Sequence, residues 1–288
     1  MDSAENLNKQ EDFLNALDNL PTVQTNSDIS RFKKFIDLDI NADDVEKVEL
    51  KPIEAIVAFV DILGTSALMK SLTDKNALEI IEKITGIKNI FEAHFADLKQ
   101  DFSSSNLMII SDSYVISIEK KQDAFKALLD MLASCQYDCL VKHGEILRGG
   151  VAMGAIIGGQ RTDNAIIGPA FIAAHELEVK NVIFPRIVID ERIVKDKMLF
   201  AKNLPIVLDK DGLRYLDFAS VKNVDMDDLH VKIQEECKKL LKASKKKDNL
   251  KIRQKWNWLN TYWEQKQRMT LNCCKNKDRN CRSRHYEN

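Results

Sequence analysis

The 288-residue chain predicts an α+β fold built on a ferredoxin-like β-α-β-β-α-β core. Three observations point to it. Two long stretches repeat apolar residues at three- and four-residue spacing, two β runs are separated by only a polar tripeptide, and a further β run ends in glycines. A hairpin within one unit that also holds two long helices favours a sheet with helices on one face over a doubly wound parallel sheet. With 44% hydrophobic and 30% charged residues, ten Gly and five Pro, the composition is that of a soluble globular protein and excludes a collagenous or linker-dominated chain. The length suits one domain of about 150–200 residues with extensions, or two small domains. Ala55 to Val60 is among the longest apolar runs, far short of the ~20 residues of a spanning helix. No signal peptide is read in MDSAENLNKQED, which has neither a basic nor an apolar region. Six cysteines without a CxxC pair do not make a disulfide framework, so reduced thiols and a cytoplasmic location are expected.

In chain order, residues 1–50 form an acidic N-terminal arm with five Lys/Arg against twelve Asp/Glu and short amphipathic pieces at Phe13–Leu20 and Ile29–Ile40. The core region spans 51–220. Ile56–Val60 is a strand bounded by Asp61 and Gly64, and a short helix opens after it. Thr73 or Asp74 can cap the next helix, whose apolar positions are Leu78, Ile81, Ile84, Ile87, Phe91 and Phe95. Leu107–Ile110 and Tyr114–Ile118 form a hairpin with Asp112 at its tip. A second helix runs from about Gln122 to Lys142, and Gly144 can stop it. The strand Ile146–Met153, a glycine-punctuated stretch to Gly159, and a third helix over Pro169–Val179 follow. Ile183–Ile189 and Ile206–Leu208 read as further strands. Residues 221–268 form a helical extension in which Trp256, Trp258, Tyr262 and Trp263 either dock on the core or stack on bases. Residues 269–288 are a basic tail expected to be disordered. From Lys238 to Asn288 sixteen Lys/Arg stand against four Asp/Glu, a solvated helix face or an anion-binding surface.

The informative residues are two aspartates at strand ends. In a β-α-β-β unit the first and second strands are expected side by side, which brings Asp61 and Asp112 together. Two close ionised carboxylates repel unless a cation sits between them. Hard divalent ions with carboxylate, carbonyl and phosphate oxygens satisfy both, and the Gly64-Thr65-Ser66 turn offers backbone N–H groups to a polyphosphate. By residue type alone, an Asp at a strand end is more often a helix cap or turn residue. The histidines at 94, 143, 175, 230 and 285 lack metal spacing. Cys135 and Cys139, one helical turn apart, read as core residues. Neither a GxSxG elbow nor a Walker GxxxxGK[ST] motif is present.

FVDILGTSAL (59–68), IISDSYVIS (109–117), LRGGVAMGAIIGG (147–159) and IIGPAFIAAHELE (166–178) resemble, in order and spacing, the catalytic domains of class III nucleotidyl cyclases. The resemblance covers roughly residues 54–190. More narrowly, the Gly-Pro-Ala…Leu-Glu helix, Phe184-Pro185-Arg186-Ile187 and Lys255-Trp256-Asn257-Trp258-Leu259 are similar to Pycsar-type pyrimidine nucleotide cyclases of bacterial anti-phage defence. The resemblance implies that Asp61 and Asp112 hold two Mn²⁺ or Mg²⁺ ions with the Ile62 carbonyl as a backbone ligand. It implies that Phe59, Gly64 and Thr65 border the triphosphate, and that Arg148 contacts nucleotide or phosphate; a surface strand arginine is the other reading of Arg148. It further implies a homodimer with composite sites and a separate effector protein activated by the cyclic nucleotide. Nucleic acid is not an expected partner.

The departures bear on the substrate. Met108 and Ala165 stand where purine cyclases of this kind carry polar, base-reading residues, and apolar groups cannot hydrogen-bond a purine edge. On a gapless alignment Ile172 and Glu176 stand where the family supplies an Asn and an Arg to the transition state, so either the register of this helix differs or Arg148, Lys180 and Arg186 are the substitutes on offer. The expected function is conversion of UTP, or CTP, to its 3′,5′-cyclic monophosphate and pyrophosphate, with a slight lean to UTP. The alternatives are an inactive cyclase-fold nucleotide-binding module and an ordinary purine cyclase.

Overall fold

Alternation along the first strand decides where everything else goes. In the computed structural model, which describes residues 52–70, 72–158, 165–181, 184–200, 203–220, 226–243 and 253–268, β1 (Ile53–Ile62) is buried on both faces over most of its length. Ile56, Ala58, Val60 and Ile62 face one core and Ala55, Val57 and Phe59 the other, so the run reads as continuously apolar. By the same period Asp61 falls on the Phe59 face at the end of the strand. The arm over 1–50 and the tail over 269–288 lie outside the described residues.

A short helix α1 (Thr65–Lys70) leads to the long α2 (Ala77–Asp101). Its cap differs from expectation. Asn76 occupies the cap position, and its Oδ1 accepts from the Thr73 N–H at 2.7 Å and the Thr73 hydroxyl at 2.9 Å. Of the predicted apolar stripe, Ile87, Phe91 and Phe95 are buried, whereas Leu78 and Ile81 near the start of the helix stay 69% and 59% exposed. The hairpin forms as expected from β2 (Asn106–Ile110) and β3 (Ser113–Glu119), with Ser111 at φ 57° and Asp112 in its two-residue loop. α3 (Gln122–His143) ends at Gly144 and contributes Phe125, Leu128, Leu129, Leu132, Cys135 and Cys139 to the larger core.

β4 (Leu147–Gly158) pairs antiparallel with β1 and, through a two-residue β5 (Ile166–Ile167), leads to α4 (Pro169–Glu176). The third helix reaches past its expected end, but as a π-helical turn over Leu177–Asn181. The predicted strand 183–189 is shorter: β6 is Ile187–Ile189, and Ile183 lies outside the described residues. After α5 (Glu191–Lys195), β7 (Ile206–Leu208) forms as predicted and pairs with β8 (Arg214–Leu216), for which no strand was expected. α6 (Met226–Ala243) and a helix α7 over residues 253–268 close the described chain.

The sheet runs β2-β3-β1-β4-β6-β8-β7, and its first four strands have the antiparallel order of a split β-α-β unit. The fold is the predicted α+β class. Two corrections concern the neighbours. β1 lies between β3 and β4, so the first and second strands are not side by side. A β-α-β connection that leaves room for the hairpin return puts β3, not β2, against β1. The helices also occupy both faces: α2 and α3 cover one, and α4 covers the other with Ala170 and Ala174 against Val57, Phe59 and Ala152.

Candidate active site

The register that removes β2 from β1 still brings the aspartates together. Asp61 pairs with Ser113 of β3 on one side, one residue beyond Asp112, and with Arg148 of β4 on the other. Ser113 Oγ donates to Asp61 Oδ1 at 3.2 Å. Arg148 donates to Asp61 Oδ2 from Nε at 3.2 Å and from Nη2 at 3.0 Å. Burial pushes the Asp61 carboxyl up, Arg148 pulls it down, and the Asp112 charge pushes it up again.

Sequence reasoning missed the fourth member, Glu178. The π-helical turn after α4 turns its side chain inward, where it is only 4% exposed and its Oε1 lies 2.7 Å from Arg148 Nη2. No N–H is aligned onto that oxygen, so Glu178 Oε1 is a buried acceptor without a hydrogen-bond donor. Burial raises the Glu178 carboxyl, Arg148 lowers it, and Asp61 and Asp112 raise it. The available signal was the Leu-Glu ending of the quoted helix motif; nothing local marks the π turn that aims the glutamate. Glu176, the carboxylate expected to face the site, is exposed and takes Lys180 Nζ at 2.7 Å. Arg148 is thus not a bare surface residue: it is shared between two carboxylates.

The remaining predicted residues follow β1. Gly64 sits at φ +104°, a conformation that side chains rarely adopt, and turns the chain into α1. Thr65 is buried and its Oγ1 donates to the Ile62 carbonyl at 2.9 Å, which leaves that oxygen its second lone pair. The Phe59 side chain is buried beneath α4, edge-on to His175 at 4.8 Å and to Phe171 at 6.1 Å. Burial lowers the His175 imidazole, against the pull of Glu176 and Asp61. Met108 is half-buried against the same apolar cluster.

Arg186 does not join the site. It is buried at the start of β6, ion-paired with Asp209 and Asp211, and enclosed by Phe184, Tyr215 and Trp258 with its guanidinium 5.3, 5.8 and 5.8 Å from their rings. The aromatic cluster of α7 docks on the core: Tyr262 and Trp263 are buried, and Trp263 Nε1 donates to His230 Nδ1 at 2.7 Å.

Among the described residues no three His, Cys, Asp or Glu side chains converge as a ready metal cage. The donor set present is nevertheless all oxygen: Asp61, Asp112 and the Ile62 carbonyl. Arg148 is paired with two carboxylates, Asp61 and Glu178, the charges of Asp112 and Lys255 also reach Glu178, and one buried carboxylate oxygen lacks a donor. That excess of negative charge fits a hard divalent cation whose other positions water and phosphate oxygens would fill.

No family model and no curated protein matches the chain. Solved structures similar to it include a bacterial light-regulated adenylyl cyclase (16% identity over 73% of this chain and 67% of that one, TM-score 0.43). The adenylyl cyclase CyaB from P. aeruginosa is 17% identical over 50% of this chain and 80% of that one, with a TM-score of 0.41. The guanylyl cyclase domain of the RhoGC fusion protein from the aquatic fungus Blastocladiella emersonii is 14% identical over 59% of this chain and 98% of that one, with a TM-score of 0.43. Likeness at this level says nothing about substrate. Among the described residues no helix is long and apolar enough to cross a membrane.

Proposed function

We propose that the chain is a nucleotide cyclase that converts a pyrimidine nucleoside triphosphate, UTP ahead of CTP, to its 3′,5′-cyclic monophosphate. The observation that carries this reading is the register that pairs Asp61, at the end of β1, with Ser113, the residue after Asp112 in the β2–β3 turn, close enough for the Asp112 charge to bear on Asp61. It is supported by the four sequence segments that resemble class III cyclases, all of which border this corner of the sheet. In the reaction the ribose 3′-oxygen bonds to the α-phosphorus, the bond from that phosphorus to the β-phosphate oxygen breaks, pyrophosphate leaves, and the hydroxyl proton passes to solvent. Bound Mn²⁺ or Mg²⁺ supplies acidification of the hydroxyl and neutralisation of phosphate charge. Asp61 and Asp112 hold the cations with the Ile62 carbonyl, the Leu63–Thr65 turn borders the triphosphate, and Arg148 contributes positive charge beside it. Apolar Met108 and Ala165 support a pyrimidine over a purine, since neither offers a hydrogen bond to a purine edge.

The narrower resemblance supports a role in anti-phage defence, with a homodimer providing two composite sites and the cyclic nucleotide activating a separate effector. The test is incubation of the purified protein with ATP, GTP, CTP and UTP separately, each with Mn²⁺, and mass spectrometry of the products beside an Asp61→Ala control. A cyclic pyrimidine nucleotide made only by the wild type is the expected result. A cyclic purine nucleotide would overturn the base assignment, and no product from any triphosphate would leave a nucleotide-binding module.

A further inference from the structure

Arg148 occupies the carboxylate that the proposed reaction needs. Both of its contacts to Asp61 are made to Oδ2, which is thereby filled, while Oδ1 accepts only from Ser113 and keeps its second lone pair. The same guanidinium already reaches Glu178, whose buried Oε1 lies 2.7 Å away and receives no aligned N–H. A buried carboxylate oxygen without a donor is costly, more so when charged. Glu178 therefore stands as a second seat for the arginine, already ion-paired with it but not yet hydrogen-bonded. Gly150 keeps that seat close, because a Cβ there would lie 2.4 Å from the Ala174 carbonyl and 2.6 Å from Leu177 Cβ.

We infer that Arg148 is an internal counter-cation that holds Asp61 while the site is empty, and that Glu178 is the positioning residue that takes it when a divalent cation arrives. The inference rests on the cation-site reading above and deepens it. In the exchange the Arg148–Asp61 hydrogen bonds break and an aligned Arg148–Glu178 pair forms, leaving Asp61 to the incoming ion. No charge is left buried without a partner at either end. Glu178 touches neither substrate nor cation and acts through the arginine alone.

The test is a double-mutant cycle read as Mn²⁺ affinity without nucleotide, with free Mn²⁺ followed by electron paramagnetic resonance. Wild type, Arg148→Met, Glu178→Gln, the double variant and Asp61→Ala are compared, and circular dichroism confirms that each is folded. Arg148→Met is expected to bind Mn²⁺ more tightly than wild type, since nothing competes for Asp61. Glu178→Gln is expected to bind about 10-fold more weakly, the low end of what outer-shell partners of metal ligands contribute. In the Arg148→Met background the same Glu178→Gln change should lower affinity no more than about twofold, because no arginine then needs a seat. An equal loss in both backgrounds would mean that Glu178 acts only as a distant charge, and would overturn the exchange while leaving the cation site intact. Mn²⁺ binding that Asp61→Ala does not weaken in any background would overturn the cation-site reading itself.

Discussion

Asp61 is a residue at which the proposed function and stability oppose one another. Burial raises its carboxyl and outweighs the pull of Arg148 and Ser113, and Glu178 is raised by burial in the same way. Each folded carboxyl thus holds its proton more tightly than the unfolded one. Their contribution to stability is present below the usual carboxylate range and is lost as pH rises through the raised folded values. Asp61→Asn, which never ionises, is accordingly expected to leave unfolding free energy at neutral pH unchanged or higher by about 0.5–2 kcal/mol, while ending cyclic nucleotide formation. Denaturant unfolding in EDTA at pH 4 and pH 7.5 measures this; the gain over wild type should be larger at pH 7.5. A clear loss of stability at pH 7.5 would mean that the aspartate is kept for folding. Gly64 gives a second prediction at this scale. No atom lies within 4 Å of a Cβ built there, so Gly64→Ala costs only the strain of φ +104°, about 1–2 kcal/mol by the same denaturant measurement.

Elements were legible in the sequence where local chemistry writes them. The hairpin was readable because two β runs flank a turn whose polar residues tolerate positive φ, as Ser111 does. Asp61 and Asp112 were readable for the same reason: each ends an apolar run. The π turn after α4 was not, because one extra residue per turn leaves the apolar spacing of Ala170 and Ala174 intact and shows only in the direction of Glu178. The cap of α2 was misread because the Thr73 hydroxyl is bonded to Asn76 Oδ1 and not to the helix N-terminus, which Thr73 meets only through its carbonyl, the acceptor for the Ala77 N–H at 2.9 Å. What fixes α4 over β4 is the missing side chain at Gly150. Gly150→Ala would push backbone against backbone at the Ala174 carbonyl, which cannot swing aside as a flexible side chain can. The expected loss is about 1–3 kcal/mol by chemical denaturation. Glu178 and His175 ride on the displaced element, so cyclic nucleotide formation should fall more than the stability loss alone explains. Full activity in a folded Gly150→Ala protein would show that the site does not depend on the position of α4.

At the scale of the whole molecule the first four strands form in the predicted order along the chain, with β3 instead of β2 beside β1, and the additions beyond β4 are where sequence reading ran shortest. β8 is a three-residue strand, Arg214–Leu216, too short to carry a period. Arg186 was weighed as a transition-state group because a lone basic residue in a strand gives no sign of its partners, and those partners, Asp209, Asp211 and Trp258, are far along the chain. In three dimensions they lock the end of the sheet to α7. Trp258 stacks on Phe184 at 6.0 Å and donates from Nε1 to Asp209 Oδ2 at 2.7 Å, while Arg186 pairs with that same aspartate from inside the aromatic enclosure. Leu259, Tyr262 and Trp263 on the same helix enter the main core, so the lock joins the late helix to the sheet that carries Asp61 and Arg148. Breaking a buried ion pair by removing one partner leaves a charge uncompensated and typically costs about 3–5 kcal/mol. Arg186→Met should therefore unfold at markedly lower denaturant concentration than wild type, with loss of the environment of Trp258 seen in its fluorescence. Because Arg186 touches none of the proposed cation ligands, Mn²⁺ affinity in the folded variant should stay within about twofold of wild type, as expected for uncoupled sites. A stable Arg186→Met protein that has lost Mn²⁺ binding would reverse the assignment and return the arginine to the site.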